Sequence, residues 1–464
     1  MNARPLWVAE EAALATGGRA RGDWSAFGVS IDTRTLEKGD LFLALNGVRD
    51  GHDFVPAALE KGAAAAMVSL HPKNVALDAP LLLVGNTQTG LEALGRASRA
   101  RSTARIVAVT GSAGKTTTKE MLRVMLATCG RVAASAASYN NHWGVPLSLA
   151  RMGRDTAYGV FEIGMNHAGE IRFLGQQVRP HVAVITTIAP AHLEYFGSVD
   201  AIADAKGEIF ECIEHGGTAI LPGDNPQFER LKAHAQSAGV ARILVFGTQQ
   251  NASARLVATE PYRDGQKLIA EIEGKRVACI VGAAGTHIAM NAVAALLAAR
   301  ELGADMNAAM DALAGFAALK GRGARSALGE IELIDESYNA NPASMAAALD
   351  LLGQTQPKVS GRRIAVLGDM LELGEKSTDL HRDLAGAVGA ARADLVFLCG
   401  QKMVALWQAL PQNIRGGYAE TSSALAPELV RHLRAGDVVL VKGSFGIKMS
   451  VIIDALKARQ AATA

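Results

Sequence analysis

The run "VAVTGSAGKTTTKEM", Val107 to Met121, decides how the rest of the chain is read. The common phosphate-binding loop follows G-x-x-x-x-G-K-[ST]. Gly114, Lys115 and Thr116 supply its second half, but the place of the first glycine is taken by Val109, and a glycine stands instead at Gly111. The result is a shorter loop, G-x-x-G-K-T. Its flanks suit the chemistry, because the strand-like "RIVAVT" runs in and the helix-like "KTTTKEMLRVML" runs out. The small residues Gly111, Ser112, Ala113 and Gly114 let backbone N–H groups approach phosphate oxygens, and the helix start adds partial positive charge. In that frame Lys115 reaches the outer phosphates and Thr116, with Thr117 beside it, offers a hydroxyl toward Mg²⁺. A glycine-rich turn that only caps a helix is the plainer alternative, but lysine followed by three threonines is an odd cap.

From about residue 105 onward one phrase recurs. A short β-branched run ends in glycine or a polar turn and a helical pattern follows, as in "AYGVFEIG", "VAVITTI", "GGTAILPGD", "RILVFG", "RIAVLGD", "DLVFLCG" and "DVVLVKGS". Near-continuous apolar strands alternating with helices predict an α/β fold with parallel sheets covered on both faces, and ligands gathered at the carboxyl ends of the strands. Two breaks divide the chain, "SRARSTA" at residues 98–104 and "KGRGAR" at residues 320–325, the second after a helical stretch from His287 to Leu319. The segment before the first break reads as short strands, turns and one helix. No solenoid repeat is present, and no low-complexity tail beyond "ARQAATA".

Bulk composition excludes several classes. With 464 residues the chain can hold two to four domains, and 49% hydrophobic with 20% charged residues is ordinary for a globular protein. Lys plus Arg is 47 against 45 for Asp plus Glu, which gives no electrostatic reason for a nucleic-acid or membrane partner. Cys129, Cys212, Cys279 and Cys399 are far apart, which disfavours a zinc site or a disulfide framework and fits a reducing compartment. The N-terminal "MNARPLWVAEEAALATGG" lacks the apolar core of a signal peptide, and no run of 18 apolar residues predicts a membrane span. The expectation is a cytoplasmic protein.

Other strand ends add candidates around the loop. "FEIGMNHAGEI" sets Glu162 near one strand end and "ITTIAPAHLEYFGS" sets His192 past another, so a carboxylate and an imidazole face the phosphate loop. Histidine is not a favoured Mg²⁺ ligand, and a structural role for His192 stays open. In "SVDAIADAKGEIFECI", Ile202, Lys206, Ile209, Phe210 and Ile213 share one helical face. Burial in such a stripe favours the neutral amine of Lys206, which can add CO₂ to become a carbamate; a lysine snorkelling to the helix edge is the alternative.

In this order, "TGSAGKTTTKE", "NNHWGVP", "FEIGMNHAGEI", "APAHLEYFGS", "AKGEIF", "GRG" and "IDESYNANPASM" resemble the Mur ligases over nearly the whole chain, and the short G-x-x-G-K-T loop is that family's form. "GMNHAGEI" and "DESYNANPASM" point within the family to the activity that adds D-alanyl-D-alanine to UDP-N-acetylmuramoyl-tripeptide in peptidoglycan synthesis. The resemblance implies three domains: a UDP-sugar-binding domain at 1–103, a central ATP-binding domain at 104–321 and a Rossmann-like ligase domain at 322–464. It implies ATP and two Mg²⁺, with Thr116, Glu162, His192 and a carbamylated Lys206 as metal-site residues and Lys115 gripping phosphates. Asn291, Arg322, Asp335, Tyr338 and Asn339 match the nucleotide site. Thr33, Arg34, Asn46, Gly47 and Asp53 match the region holding the UDP-sugar, while Asn140, Asn141, Asn341, Ser344 and His381 match positions near the substrates. A monomer is expected. Three positions depart from the family pattern: Phe445 stands where arginine is usual, Thr187 where asparagine is frequent, and "VGNT" at Val84–Thr87 where "VDDT" is common. Another Mur ligase or a folylpolyglutamate synthetase-like ligase, and more remotely a nucleotide-binding protein without ligase activity, are the competing readings.

Overall fold

A computed structural model describes residues 4–136 and 138–463. The first three residues of the N-terminal stretch and the last residue of the "ARQAATA" tail lie outside them; most of that tail continues the helix Ser450–Thr463. Three large sheets follow one another along the chain, within residues 19–83, 105–281 and 324–442.

The middle sheet positions the chemistry. Its nine strands lie in the order Lys275–Val281, Gly265–Ile272, Ala254–Tyr262, Arg242–Gly247, Thr218–Pro222, Val182–Ile185, Arg105–Thr110, Tyr158–Glu162, Val132–Ala134. The strand feeding the phosphate loop is therefore flanked by the strands that end at Ile185 and Glu162, both parallel to it. Residues Ile106 to Thr110 are all buried, as a strand covered on both faces requires. The loop thus opens at the crevice where the strand order reverses, the place where open α/β sheets bind ligands.

The expectation of parallel pairing holds only in part. Ala254–Tyr262, Gly265–Ile272 and Lys275–Val281 form an antiparallel meander at the sheet edge. Its second turn, Glu273-Gly274, has positive φ at both residues, the backbone of a tight two-residue hairpin. The stretch from His287 to Leu319 is two helices, Thr286–Glu301 and Met306–Leu313, the second capped by Asp305. The Lys206 helix, Val199–Gly207, gives way to a 3₁₀ turn, Glu208–Cys212; Ile202, Lys206, Ile209 and Phe210 are buried, and Ile213 is only half-buried.

The third sheet runs Ala324–Leu328, Ile331–Glu336, Val438–Lys442, Arg363–Gly368, Leu395–Cys399, Arg415–Ala419, with only the first pair antiparallel. The N-terminal sheet has five strands, and its helix Thr87–Ala100 begins at Asn86, whose side chain accepts from the N–H groups of Gln88 and Thr89. Asn86, in "VGNT", therefore performs the helix-capping role that aspartate performs equally well. The polar break at residues 98–104 is not a free linker. Ser98 and Arg99 are buried on that helix, and Arg99 donates to the carbonyls of Val178 (2.7 Å) and Arg179 (2.8 Å) of the middle domain.

Candidate active site

The phosphate loop is braced from three sides. Gly111 and Gly114 both have positive φ (146° and 83°), and a side chain at Gly111 would run into the Thr186 hydroxyl. The Ser112 N–H donates to Thr187 O (2.8 Å), and its hydroxyl donates to Ala189 O (3.0 Å). The third domain joins in through Asn341, whose Nδ2 donates to Ser112 O (3.1 Å). Gly114 packs on Asn291, from the helix Thr286–Glu301; an added Cβ would sit 2.6 Å from Asn291 Oδ1. Gly114→Ala therefore combines a left-handed backbone with a clash, on the order of 1–2 kcal/mol for the backbone alone. We expect roughly tenfold weaker ATP binding in that variant, measured by equilibrium titration; unchanged affinity would mean that the loop does not need this shape.

Lys115 and Thr116 open the helix Lys115–Leu126. Lys115 Nζ folds back over the loop and donates to Gly111 O (2.6 Å). Burial lowers its pKa from the usual lysine value, opposed by Glu162 and assisted by Arg322. The Thr116 hydroxyl donates to Glu162 Oε2 (2.8 Å), and Asn140 Nδ2 donates to Glu162 Oε1 (2.7 Å). Glu162 is the last residue of its strand and is buried. Lys206 is also buried and has no hydrogen-bond or ion-pair partner among the described residues; its pKa lies well below the ordinary value, through desolvation first and the Lys115 charge second. Among the described residues no three His, Cys, Asp or Glu side chains converge as a metal site. The threonine–glutamate oxygen pair at the loop is the donor set that suits a hard cation.

His192 lines the same cleft, with its Nδ1 2.6 Å from Glu372 Oε2 of the third domain. That contact holds the Glu372 carboxyl below the usual carboxylate range. The cleft, about 940 Å³, lies between the middle and third domains and is lined by Ser112, Ala113, Gly114, Lys115, Thr117, Asn140, Asn141, Glu162, His192, Lys206, Asn291, Arg322, Tyr338, Asn339, Asn341 and Ser344. Arg322 stacks on the Tyr338 ring at 4.0 Å, and the Tyr338 hydroxyl meets the Ser138 hydroxyl across the domain junction. Asn341 and Ser344 form a capping box on the helix Pro342–Gln354, so the backbone there is fixed before any ligand binds.

Not every sequence candidate lies in the cleft. His381 is wholly buried: its Nε2 accepts from the Met370 N–H (2.9 Å) and its Nδ1 donates to Ser377 O (2.6 Å). With both nitrogens engaged and burial lowering its pKa, it is a neutral core histidine that braces the loop after the strand Arg363–Gly368, and it cannot touch an acceptor. Asp335 does not line the cleft; it accepts from the N–H and hydroxyl of Ser337, shaping the turn that presents Tyr338. Thr33, Arg34, Asn46, Gly47 and Asp53 lie in the N-terminal domain outside the cleft. Arg34 is paired with Asp32, and Gly47 packs against Trp143, a Cβ there falling 2.6 Å from the ring.

The structure adds residues that the sequence reading passed over. Lys442 ends the strand Val438–Lys442, lines the cleft, and donates to Glu336 Oε2 (3.1 Å) and Asn339 O (2.9 Å). The strand-end rule applied to "DVVLVKGS" would have found it. Asn225 donates to Thr187 Oγ1 (3.1 Å) and Ile188 O (2.8 Å), so the threonine at this departure position is held by the neighbouring strand's turn. Phe445 is 71% exposed, with its ring 5.9 Å from that of Tyr338.

Residues 109–299 match the Mur ligase middle domain, residues 321–445 the Mur ligase glutamate ligase domain, and residues 27–125 the domain described as the Mur ligase family catalytic domain. The chain is 34% identical over 451 residues to the UDP-N-acetylmuramoyl-tripeptide--D-alanyl-D-alanine ligase of Rickettsia prowazekii, covering 97% of this chain and 99% of that one. It is 35% identical to the enzyme of the same name from Escherichia coli, over 92% of this chain and 93% of the relative. Its structure superimposes on a MurF crystal structure from Acinetobacter baumannii with a TM-score of 0.86 at 30% identity, covering 99% of this chain and 100% of that one. A MurF ligase from Thermotoga maritima in complex with ADP gives 0.79 at 26% identity, over 94% and 98%.

Proposed function

The chain belongs to the Mur ligase family, and we propose that it is the ligase that joins D-alanyl-D-alanine to UDP-N-acetylmuramoyl-tripeptide with cleavage of ATP. The observation that carries this reading is the bond from Asn341 of the third domain to Ser112 of the phosphate loop. It sets a domain suited to delivering the amine against the site that activates the carboxylate, across one cleft. Thr33, Arg34, Asn46, Gly47 and Asp53 hold the UDP-sugar end of the substrate, and the packing of Gly47 on Trp143 supports a path from that domain into the cleft beside Asn140 and Asn141.

The reaction proceeds in two steps. The terminal carboxylate oxygen of the tripeptide attacks the γ-phosphorus of ATP and ADP leaves, giving an acyl phosphate. The amine of D-Ala-D-Ala attacks the acyl carbon, phosphate leaves with the C–O bond electrons, and the nitrogen loses its proton. The first step brings anions together, so it depends on alignment and charge neutralisation. Lys115 leaves Gly111 O for the outer phosphates, and the loop N–H groups hold the remaining oxygens. Thr116 and Glu162 would hold one Mg²⁺, with His192 and a carbamate on Lys206 serving a second; these ions supply neutralising charge when bound. Tyr338, Arg322, Asn339 and Asn291 surround the nucleotide, and Asn341 and Ser344 lie beside the reacting groups. The position of the cleft between two domains supports exclusion of water from the acyl phosphate. It is built within one chain, which fits a monomer. ATP and a nucleotide-linked substrate fit the cytoplasm, and no helix among the described residues is long and apolar enough to cross a membrane.

Phosphate release tests this reading. With ATP present, we expect release at full rate only when UDP-tripeptide and D-Ala-D-Ala are both added, with a product heavier by one dipeptide less water. Equal release without the dipeptide, or with another amine in its place, would refute it.

A further inference from the structure

His192 occupies the left-handed region (φ 57°) at the start of the short helix Leu193–Phe196, a costly conformation for a non-glycine residue. What packs against it comes from another domain. Glu372 stands in the loop after the strand Arg363–Gly368, and its Oε2 lies 2.6 Å from His192 Nδ1. The backbone holds the same junction: the Glu194 N–H donates to Glu372 O (3.1 Å), and an added Cβ at Gly374, which has φ 59°, would lie 3.3 Å from Glu194 Cα. Nδ1 has no aligned hydrogen-bond partner among the described residues, so the contact is a close approach of the carboxylate to this edge of the ring and not a directed N–H···O bond. The opposite edge, Nε2, has no hydrogen-bond partner among the described residues either, and the ring lines the cleft. A carboxylate on one imidazole nitrogen is the usual device for aiming the other at a metal.

We propose that Glu372 is a positioning residue that holds the ring of His192 from the third domain, so that the cation site of His192 is complete only while that domain is docked. This rests on the reading of His192 as a metal-site residue. It links the arrival of the amine-bearing domain to completion of the charge-neutralising apparatus, which would keep ATP from being spent before the acceptor is in place.

Mn²⁺ titration of the full chain with ADP, followed by electron paramagnetic resonance, tests it without turnover. Glu372 is 42% exposed on its side chain, so Glu372→Gln and Glu372→Ala should both fold. We expect the weaker of two Mn²⁺ sites to lose affinity about tenfold in both variants, the scale for losing such an outer partner. UDP-tripeptide binding measured without metal should stay at the parent value. His192→Ala should lose that Mn²⁺ site altogether. If His192→Ala loses the ion while both Glu372 variants bind it as the parent does, the inference fails and the reading of His192 stands. If His192→Ala keeps both ions, the reading of His192 fails and the inference with it. A contact that merely glues the domains would change the distance between spin labels on them but not the Mn²⁺ affinity, which also overturns the proposal.

Discussion

Lys115→Ala is expected to lower kcat for ADP formation by about 10²–10³-fold, the scale for removing one preorganised charge from a developing anion. The native ammonium is stored over the loop, 2.6 Å from Gly111 O, within reach of any phosphate the loop cradles. Its environment makes the charge costly in the free protein, since burial comes first among the influences on it and Arg322 adds to them. A group desolvated in this way contributes little to stability, so the variant should fold and melt close to the parent. Circular dichroism and a thermal melt establish that; turnover near the parent rate in the folded variant would remove Lys115 from the phosphate site.

Lys206→Ala is expected to abolish activity to a similar degree, roughly 10²-fold or more, and a small carboxylate should restore part of it. Lys206 is buried without a partner, and desolvation first and the Lys115 charge second hold its pKa well below the usual lysine value, which favours the neutral amine that CO₂ requires. A neutral amine adds CO₂: the N–C bond forms, one proton leaves, and an anionic oxygen pair would result in the cleft that Glu162 also lines, a donor set that suits Mg²⁺. An ammonium at this position would repel the same ion. Formate or acetate in the space vacated by the side chain returns the oxygens, whereas Lys206→Arg keeps a permanent charge and should stay inactive. Parental activity in Lys206→Arg would show that the positive charge, and not a carbamate, is what the site uses.

The phosphate loop was legible because its chemistry is contiguous. Strand, glycines, lysine and threonines fall within fifteen residues, and local geometry dictates each of them. Glu162 was legible for a related reason, as the last residue of an apolar run, and Lys206 because helical spacing put it among Ile202, Ile209 and Phe210. The edge meander was passed over because Gly265–Ile272 alternates buried and half-buried residues, unlike the continuous apolar runs being sought. The positive-φ pair Glu273-Gly274 marks its turn, and "EGK" between alternating stretches was the available signal. His381 was misplaced because a histidine on a helix looks alike whether it faces a ligand or the core; only the contacts to Met370 and Ser377, set by tertiary packing, distinguish the two. Glu372 carried no signal at all, since its meaning depends on a histidine 180 residues earlier that the fold brings within 2.6 Å.

The acyl phosphate is the central intermediate of the proposed ligation, and isotope transfer measures it. UDP-tripeptide labelled with ¹⁸O in its terminal carboxylate is incubated with enzyme, ATP and D-Ala-D-Ala, and the released phosphate is analysed by mass spectrometry. The account predicts one labelled oxygen in each phosphate, because the carboxylate oxygen that attacks phosphorus leaves with it. Unlabelled phosphate accompanying pentapeptide formation would contradict the account, since water and not the carboxylate would then have received the phosphoryl group.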